Sequence, residues 1–307
     1  VNEYTQRTHT CGELRNSHVG SHVRLCGWLE FQRMNRFAVL RDAYGSTQIV
    51  IPEDRGDIMK ELNETALESS VSIEGLVDLR PESQINEKMA TGEIEVNVSD
   101  YKVLGKAIKK LPFTIRNYNK ATESVRMRYR YLDLRYPEMQ AMLRLRSQFI
   151  MRMREFLINQ RSFVEVETPT LFRRTPGGAQ EFVVPTHHPG EFYSLVQSPQ
   201  QLKQLLMVGG TDRYFQVARC YRDEGARPDR QPEFTQLDIE LSFTDSSQVM
   251  RLVEELLATS WPSSLPPLSI PFPTMTFEQA FSDYGTDQPD VRYGCKVFCF
   301  MLESFLL

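Results

Sequence analysis

The sequence lacks any cysteine or histidine pattern that would hold a metal ion or a disulfide framework. Its cysteines are odd in number, widely scattered and without a C-x-x-C pair. The five histidines show no zinc-ligand spacing either. These absences argue against small zinc modules and disulfide-rich secreted domains, and they favour free thiols in a reducing compartment. The cysteines are Cys11, Cys26, Cys220, Cys295 and Cys299.

Long apolar runs and a strong net charge are also missing. No run reaches the ~20 apolar residues that span a bilayer, and no signal peptide precedes the first polar residues, so no membrane partner is expected. The sequence opens at Val1 without a methionine, so we expect a processed or incomplete N-terminus. The overall net charge of -4 does not indicate a nucleic-acid partner. Bases outnumber acids locally between Lys106 and Arg161, which fits a phosphate-facing surface or a solvated helix face equally well.

Familiar nucleotide and nucleophile motifs are absent as well. The chain has no G-x-x-x-x-G-K-[ST] loop, no G-x-G-x-x-G after a strand and no G-x-S-x-G elbow. If ATP binds, it binds without a P-loop.

Residues 1–104 predict a small barrel. Five short strands and one helix, near Ile58 to Leu67, suggest an OB-fold. Such barrels bind single-stranded nucleic acid through aromatic rings and polar groups. Arg33, Phe37 and Gln48 are suitable side chains for that face. Each taken alone is more typical of a solvated charge, a core ring or a strand-surface amide.

The middle of the chain predicts a hinge and two helices. Residues 105–125 form a basic, irregular segment that contains Pro112. After Pro137 an amphipathic helix is expected, because apolar residues recur at spacings of three and four. A second helix is predicted with Ser198 as N-cap and Pro199 at its first position. The apolar positions of the first helix are Met142, Leu145, Phe149, Met153, Phe156 and Leu157.

The stretch CYRDEGARPDRQPEFTQLDIELSF predicts a hairpin with one polar face. On the second strand polar and apolar residues alternate, so a period of two places Gln236, Asp238 and Glu240 together. Antiparallel pairing would add Gln216 and Arg222. A guanidinium among carboxylates could bind a small zwitterionic ligand together with a phosphate group. The alternative interpretation of this polar face is a solvent-exposed sheet surface with ion pairs. A helix near Gln248 to Thr259 and a proline-rich loop, 260–273, should follow.

Several motifs carry a resemblance to one family. YRDE followed by RQPEFTQLDIE resembles motif 2 of class II aminoacyl-tRNA synthetases, and FVEVETPTL resembles motif 1. With MRYRYLDLR and QSPQQLKQLLM, the chain is similar to aspartyl-tRNA synthetases of the bacterial and mitochondrial type, above all the animal mitochondrial form. The implied fold is α+β: an OB-fold barrel (1–104) that binds the anticodon, a hinge (105–125), and part of the class II catalytic domain (126–292), an antiparallel sheet flanked by helices. A divergent tail, 293–307, follows.

The resemblance implies roles for residues of the hairpin and the second helix. Arg222 would be the catalytic residue and fork onto the α-phosphate of ATP. Lys203 would pair with the side-chain carboxylate of aspartate, with Gln200 nearby, and Asp238 would hold the ammonium group, with Gln236 beside it on the floor. The implied ATP-binding residues are Arg222, Glu224, Gln231 and Phe234.

The resemblance also implies the partners and the compartment. ATP, Mg²⁺, L-aspartate and tRNA(Asp) would be used by a homodimer in the mitochondrial matrix, and no transit peptide is expected within this chain. Arg33, Phe37 and Gln48 would contact the anticodon.

Two departures from the family qualify these implications. Gly177 stands where bacterial relatives carry a glutamate that helps to bind aspartate, and the mitochondrial forms resemble this chain instead. The tail replaces the region of motif 3 and of the acidic Mg²⁺ ligands, so no metal ligand is expected within this chain and the polypeptide is predicted not to complete aminoacylation. A non-catalytic RNA-binding isoform remains an alternative, as does a lysyl or asparaginyl enzyme, although Lys203 argues against a lysine substrate.

Overall fold

The computed structural model describes residues 2–115, 120–225 and 230–297. The chain divides into two compact units, Val1–Arg144 and Leu145–Leu307. The segment predicted as a hinge, apart from residues 116–119 outside the described ranges, therefore belongs to the first unit. The predicted tail falls outside the described residues from position 298 onward.

The first unit contains a closed five-stranded barrel, as the sequence predicts. Its strand order is β1-β2-β3-β5-β4, with β1 pairing both β2 and β4, and with the helix α1 between β3 and β4. Branched side chains that alternate along the strands, such as Val71, Ile73 and Val77, fill the interior. The elements are β1 (His22–Arg33), β2 (Phe37–Arg41), β3 (Ser46–Val50), α1 (Gly56–Glu64), β4 (Ser70–Leu79) and β5 (Ile94–Gly105).

Short helices follow the barrel and pack around a small core of their own. They are α2 (Glu123–Arg128), α3 (Arg130–Asp133) and the beginning of α4 (Pro137–Glu155). Phe113, Ile115, Leu132 and Tyr136 form the core. Asp133 is fully buried and pairs with the guanidinium groups of Arg126 and Arg130.

A buried ion cluster, which we call the Glu68 clamp, joins this helical segment to the barrel. The Glu68 carboxylate accepts from Arg41 at 2.8 and 3.0 Å and from Arg135 at 2.7 Å. Arg41 also donates to the Arg135 carbonyl at 3.0 Å, and the Arg135 guanidinium lies 4.5 Å from the Trp28 ring centroid. Because the cluster is largely removed from water, each hydrogen bond to its charged groups carries more weight than a surface ion pair.

Replacing Glu68 by glutamine is expected to lower the free energy of unfolding of the first unit by about 2 kcal/mol. The neutral amide accepts weaker hydrogen bonds, Arg135 loses the carboxylate it pairs with in the clamp, and Arg41 keeps only Glu30, at 3.4 Å, as a counter-charge. Urea denaturation measures the change when it is followed by tryptophan fluorescence in a Trp261→Phe background, where Trp28 is the one remaining tryptophan. The control is Glu74→Gln, which breaks an exposed pair with Arg24; equal losses in the two variants would contradict the special role of the clamp.

The second unit is built from two small sheets with helices beside them. One sheet has the order β11-β10-β6, in which β10 and β11 are antiparallel and β6 is parallel to β10; the other has the order β7-β9-β8. This confirms the α+β class. The elements are β6 (Val164–Glu165), β7 (Leu171–Phe172), β8 (Val183–Pro185), β9 (Phe192–Leu195), α5 (Gln200–Val208), β10 (Arg213–Tyr221), β11 (Glu233–Leu241), α6 (Ser246–Ser260) and α7 (Phe277–Tyr284).

The structure corrects two details of the predicted helices. Helix α4 forms where the amphipathic pattern predicts it, but it has no buried residue, and Met142 is 60% exposed. Phe156 and Leu157 are buried, but they lie in the π-helical turn Phe156–Gln160 that ends the helix. At α5 the cap position is Pro199, without a side-chain hydrogen bond, so the prediction of Ser198 as N-cap was wrong.

The cysteines of the described residues differ in burial, and their reactivity should follow. Cys11 and Cys220 are buried, whereas Cys295 is exposed. Burial raises the pKa of Cys11, and burial together with the Asp238 carboxylate raises the pKa of Cys220 to about 11. Such a shift leaves roughly 100-fold less thiolate than an ordinary cysteine has near pH 8.

In the folded chain at pH 8, iodoacetamide is expected to alkylate Cys295 at least about 100-fold faster than Cys220. Peptide mass spectrometry measures the alkylation of each cysteine separately. Unfolding the chain in urea should abolish the difference between the alkylation rates of Cys295 and Cys220. Equal labelling of the two cysteines before unfolding would contradict the burial of Cys220.

Candidate functional site

The register of the β10–β11 hairpin confirms the predicted polar face. Gln216 pairs with Asp238, and Tyr214 pairs with Glu240. The alternate residues of β11 pack on the other side, against a core that includes Phe156 and Phe215; these residues are Leu237, Ile239 and Leu241. Since one face is held by this core, Asp238 and Glu240 are fixed on the opposite face, which we call the floor.

Lys203 stands over the floor. It rises from α5, is only 9% exposed, and its Nζ lies 3.3 Å from Asp238 Oδ1 and 3.2 Å from Glu240 Oε2. Asp238 Oδ2 is buried and has no hydrogen-bond partner within the described residues. An unpaired buried carboxylate oxygen is costly, so it is a natural acceptor for the ammonium group of a ligand.

Gln200 and Gln236, also predicted for this site, lie at its edges. Gln200 is the first residue of α5 and is exposed, one turn before Lys203. Gln236 Oε1 lies 3.1 Å from the Cys220 sulfur. The sequence analysis gave Cys220 no role at the site, because its contact with Gln236 depends on strand register rather than on a motif.

A cavity of about 630 Å³ opens toward the turn of the same hairpin. Arg222 and Phe234 form one wall, with the guanidinium carbon 5.1 Å from the ring centroid. The buried Nε of Arg222 has no hydrogen-bond partner in the described part of the chain, so this donor can serve a ligand. The lining brings together all four residues predicted to bind ATP: Arg222, Glu224, Gln231 and Phe234.

The same cavity contains residues that the sequence analysis missed. Phe182, at the end of the RTPGGAQEF loop, adds a second aromatic ring to the lining. Arg230 lies 3.8 Å from the Glu224 carboxylate. The position of Phe182 at the end of a glycine-rich loop was the one available signal in the sequence. The contact of this loop with the hairpin could not be predicted, because it depends on tertiary packing.

Gly177 lies in that loop with a φ of +75°. A Cβ there would meet nothing within 4 Å, so space does not require glycine, but the left-handed backbone does favour it. A glutamate at this position would therefore strain the loop, and a Gly177→Glu variant would test the backbone together with the missing carboxylate.

The three residues predicted for the anticodon share one cavity on the barrel. It has a volume of about 430 Å³ and is lined by Arg33, Phe37 and Gln48, and also by Arg80 and Asn86. The Arg33 guanidinium lies 5.9 Å from the Phe37 ring centroid. Gln48 donates to Glu95 at 2.8 Å, so its amide is already oriented by a carboxylate. The cavity therefore offers one aromatic face and several hydrogen-bonding groups.

Comparison with known proteins identifies the class of protein. The family of class II tRNA synthetases (D, K and N) matches residues 122–303, and the chain belongs to this family. It is similar to the mitochondrial aspartate–tRNA ligases of Bos taurus (59% identity over 97% of this chain and 46% of the relative) and of Homo sapiens (58% over 96% and 46%). The resemblance drawn from motifs 1 and 2 is thus confirmed.

Solved structures agree with this family. Asparaginyl-tRNA synthetase from Pyrococcus horikoshii, complexed with asparaginyl-adenylate, superposes with a TM-score of 0.70 at 26% identity, covering 82% of this chain and 57% of that chain. The chain spans about half the length of the curated relatives it matches. Within the described residues, no helix is long and apolar enough to cross a membrane, and no cluster of three or more His, Cys, Asp or Glu side chains could hold a metal ion.

Proposed function

We propose that this chain carries the amino-acid activation site and the anticodon-binding barrel of a mitochondrial aspartyl-tRNA synthetase. The observation that carries the proposal is that one hairpin bears both the floor carboxylates paired with Lys203 and, toward its turn, the arginine and phenylalanine that line a cavity. Such a site fits a small zwitterion at one end and a nucleotide at the other.

Aspartate would occupy the floor. Its α-ammonium group would donate to the free Oδ2 of Asp238, and its side-chain carboxylate would accept from Lys203, which a neutral asparagine side chain could not replace. Gln200 and Gln236 would border the amino acid. Because Lys203 already pairs with two carboxylates, the substrate would compete with Asp238 and Glu240 for its protons.

ATP would occupy the adjoining cavity. Phe234 would stack on the adenine, and Glu224 would accept from its amino group, with Gln231 on the same wall. Arg222 would fork onto the α-phosphate as a carboxylate oxygen of aspartate attacks phosphorus and pyrophosphate leaves. No side chain becomes covalently attached. Mg²⁺ bound to ATP would neutralise charge on the phosphates, and none of the described residues is assigned as its ligand.

The second half-reaction would transfer the aspartyl group to tRNA(Asp). A ribose hydroxyl at the 3′ end attacks the carbonyl carbon, and AMP leaves. Phe37 would stack on an anticodon base, with Arg33 and Gln48 contacting its edge or phosphate. On the likeness to the mitochondrial relatives, we place the longer protein in the mitochondrial matrix as a homodimer.

Pyrophosphate exchange tests the proposal. The purified chain, with ATP and labelled pyrophosphate, is expected to exchange label with L-aspartate and not with L-asparagine or L-lysine, because Lys203 requires a negative side chain. Exchange with lysine or asparagine would overturn the aspartate assignment. A folded chain that neither exchanges nor binds aspartyl-sulfamoyl adenosine in calorimetry would instead support a non-catalytic role confined to tRNA binding.

A further inference from the structure

A second, largely buried polar network lies next to the floor. Tyr214 is completely buried and Gln216 is 7% exposed, and the Gln216 amide lies 2.7 Å from the Tyr214 hydroxyl and 2.9 Å from Thr168 Oγ1. Thr168 belongs to the extended segment before Pro169 that resembles motif 1. None of these three side chains has a part in the proposed chemistry, although all three are close to residues that do.

The hydrogen-bonding pattern fixes the orientation of the Gln216 amide. With its nitrogen toward the hydroxyls, the amide nitrogen lies 2.9, 2.7 and 3.2 Å from three acceptors, Thr168 Oγ1, Tyr214 Oη and the Val166 carbonyl, which share its two protons. The amide oxygen accepts from the Thr168 N–H at 3.3 Å. The opposite orientation would set oxygen against the Val166 carbonyl and nitrogen against the Thr168 N–H. In the satisfied orientation, the Tyr214 oxygen accepts, so its own proton is free for another acceptor.

The network ties the 166–168 segment to the strand under the floor. The β6 residues pair with Tyr214 and Phe215, and the Val166 N–H donates to the Phe215 carbonyl at 3.2 Å. On the other side of β10, Gln216 is the register partner of Asp238. A single side chain thus contacts the motif 1 segment and sits directly opposite the carboxylate that would hold the ammonium group.

Electrostatics support a neutral, donating Tyr214. Burial, followed by the negative charge of Asp238 and then of other neighbours that include Glu240, raises the pKa of its phenol. The phenol therefore keeps its proton throughout the physiological pH range. Because Gln216 donates to the phenol oxygen, the amide also decides in which direction this proton can point.

We propose that Gln216 is a positioning residue for aspartate recognition: its buried amide ties residues 166–168 to β10 at the position directly opposite Asp238, and it orients the Tyr214 hydroxyl on the same strand. The inference rests on the proposed function of the same site. It assigns Gln216 no contact with ATP, because the nucleotide cavity is lined by other residues. Its loss should weaken aspartate binding selectively.

The test compares Michaelis constants for aspartate and ATP in pyrophosphate exchange. Gln216→Leu, which preserves approximate volume, and Thr168→Val are each expected to raise the aspartate KM about 10-fold and the ATP KM less than about 2-fold. The double variant should be no worse than Gln216→Leu, because Thr168 acts through Gln216. Thr244→Val is the matched control, since Thr244 bonds Gln248 at 3.2 Å in another, exposed threonine–glutamine pair.

The outcomes separate this inference from the proposed function. Folded variants in which both Michaelis constants rise equally, or in which the aspartate KM is unchanged, would overturn the role of Gln216 while leaving the proposed function intact. An additive double variant would overturn the order of action. If the unaltered chain neither exchanges nor binds aspartyl-sulfamoyl adenosine, the proposed function fails, and the inference fails with it.

Discussion

Replacing Arg222 by alanine is expected to lower aspartate-dependent pyrophosphate exchange by about 1,000-fold or more. The guanidinium is in the wall of the nucleotide cavity, and its buried Nε has no partner within the described residues. The Nε–H of Arg222 would donate a hydrogen bond to the α-phosphate, whose negative charge increases during the attack. Arg230, the other arginine of the lining, is mostly exposed and pairs with Glu224, so the loss should fall on kcat rather than on the ATP KM.

Two companion variants sharpen the Arg222 experiment. Arg222→Lys keeps the charge but loses the fork, so an intermediate loss, on the order of 10- to 100-fold, is expected. Arg219→Ala is the matched control: Arg219 lies on β10, three residues before Arg222, is 60% exposed in its side chain and makes a surface pair with Glu233. If the Arg222→Ala and Arg219→Ala variants had similar rates of pyrophosphate exchange, the α-phosphate of ATP would not react in this cavity.

Replacing Lys203 by methionine is expected to lower aspartate affinity by at least about 100-fold and to destabilise the second unit. The side chain keeps its length, but Asp238 and Glu240 lose the cation that they share, and two carboxylates then repel each other in a largely buried place. Removing one partner of a buried ion pair commonly costs about 3–5 kcal/mol. Calorimetry with aspartyl-sulfamoyl adenosine measures the affinity, and urea unfolding measures the stability.

A lysine in an exposed pair supplies the control for this experiment. Lys296 pairs with Asp283, and both side chains are more than 40% exposed, so Lys296→Met should change neither quantity. If Lys203→Met bound the analogue as tightly as the unaltered chain, Lys203 would not read the aspartate side chain. A substrate with a neutral side chain would then become the better assignment.

Local alternation predicted much of the fold. The five barrel strands and the hairpin were found because branched apolar residues alternate with polar ones, and a half-buried strand requires that period. The exposure of the apolar positions of α4 was not predictable in the same way. Met142 has the spacing of a core position, but spacing reports which residues share a face and not whether another element covers it.

The site was predictable where a motif keeps its residues near one another in sequence. Arg222, Glu224 and Phe234 lie within one hairpin, so their convergence on one cavity follows from local geometry. Phe182 and Thr168 reach the site from distant segments, and only tertiary packing brings them there. The direct pairing of Lys203 with Asp238 was also missed, because both had been assigned to the ligand rather than to each other.

The Glu68 clamp has a practical consequence for dividing the protein. A fragment that ended at residue 104, at the close of the predicted barrel, would remove Arg135 and expose the Trp28 face that its guanidinium covers. It would also lose Arg144, which donates to the Ala43 carbonyl at 2.9 Å and lies over the Tyr44 ring. The smallest barrel fragment suited to independent expression therefore ends at Arg144. This end lies forty residues beyond residue 104, where the sequence places the boundary of the barrel domain.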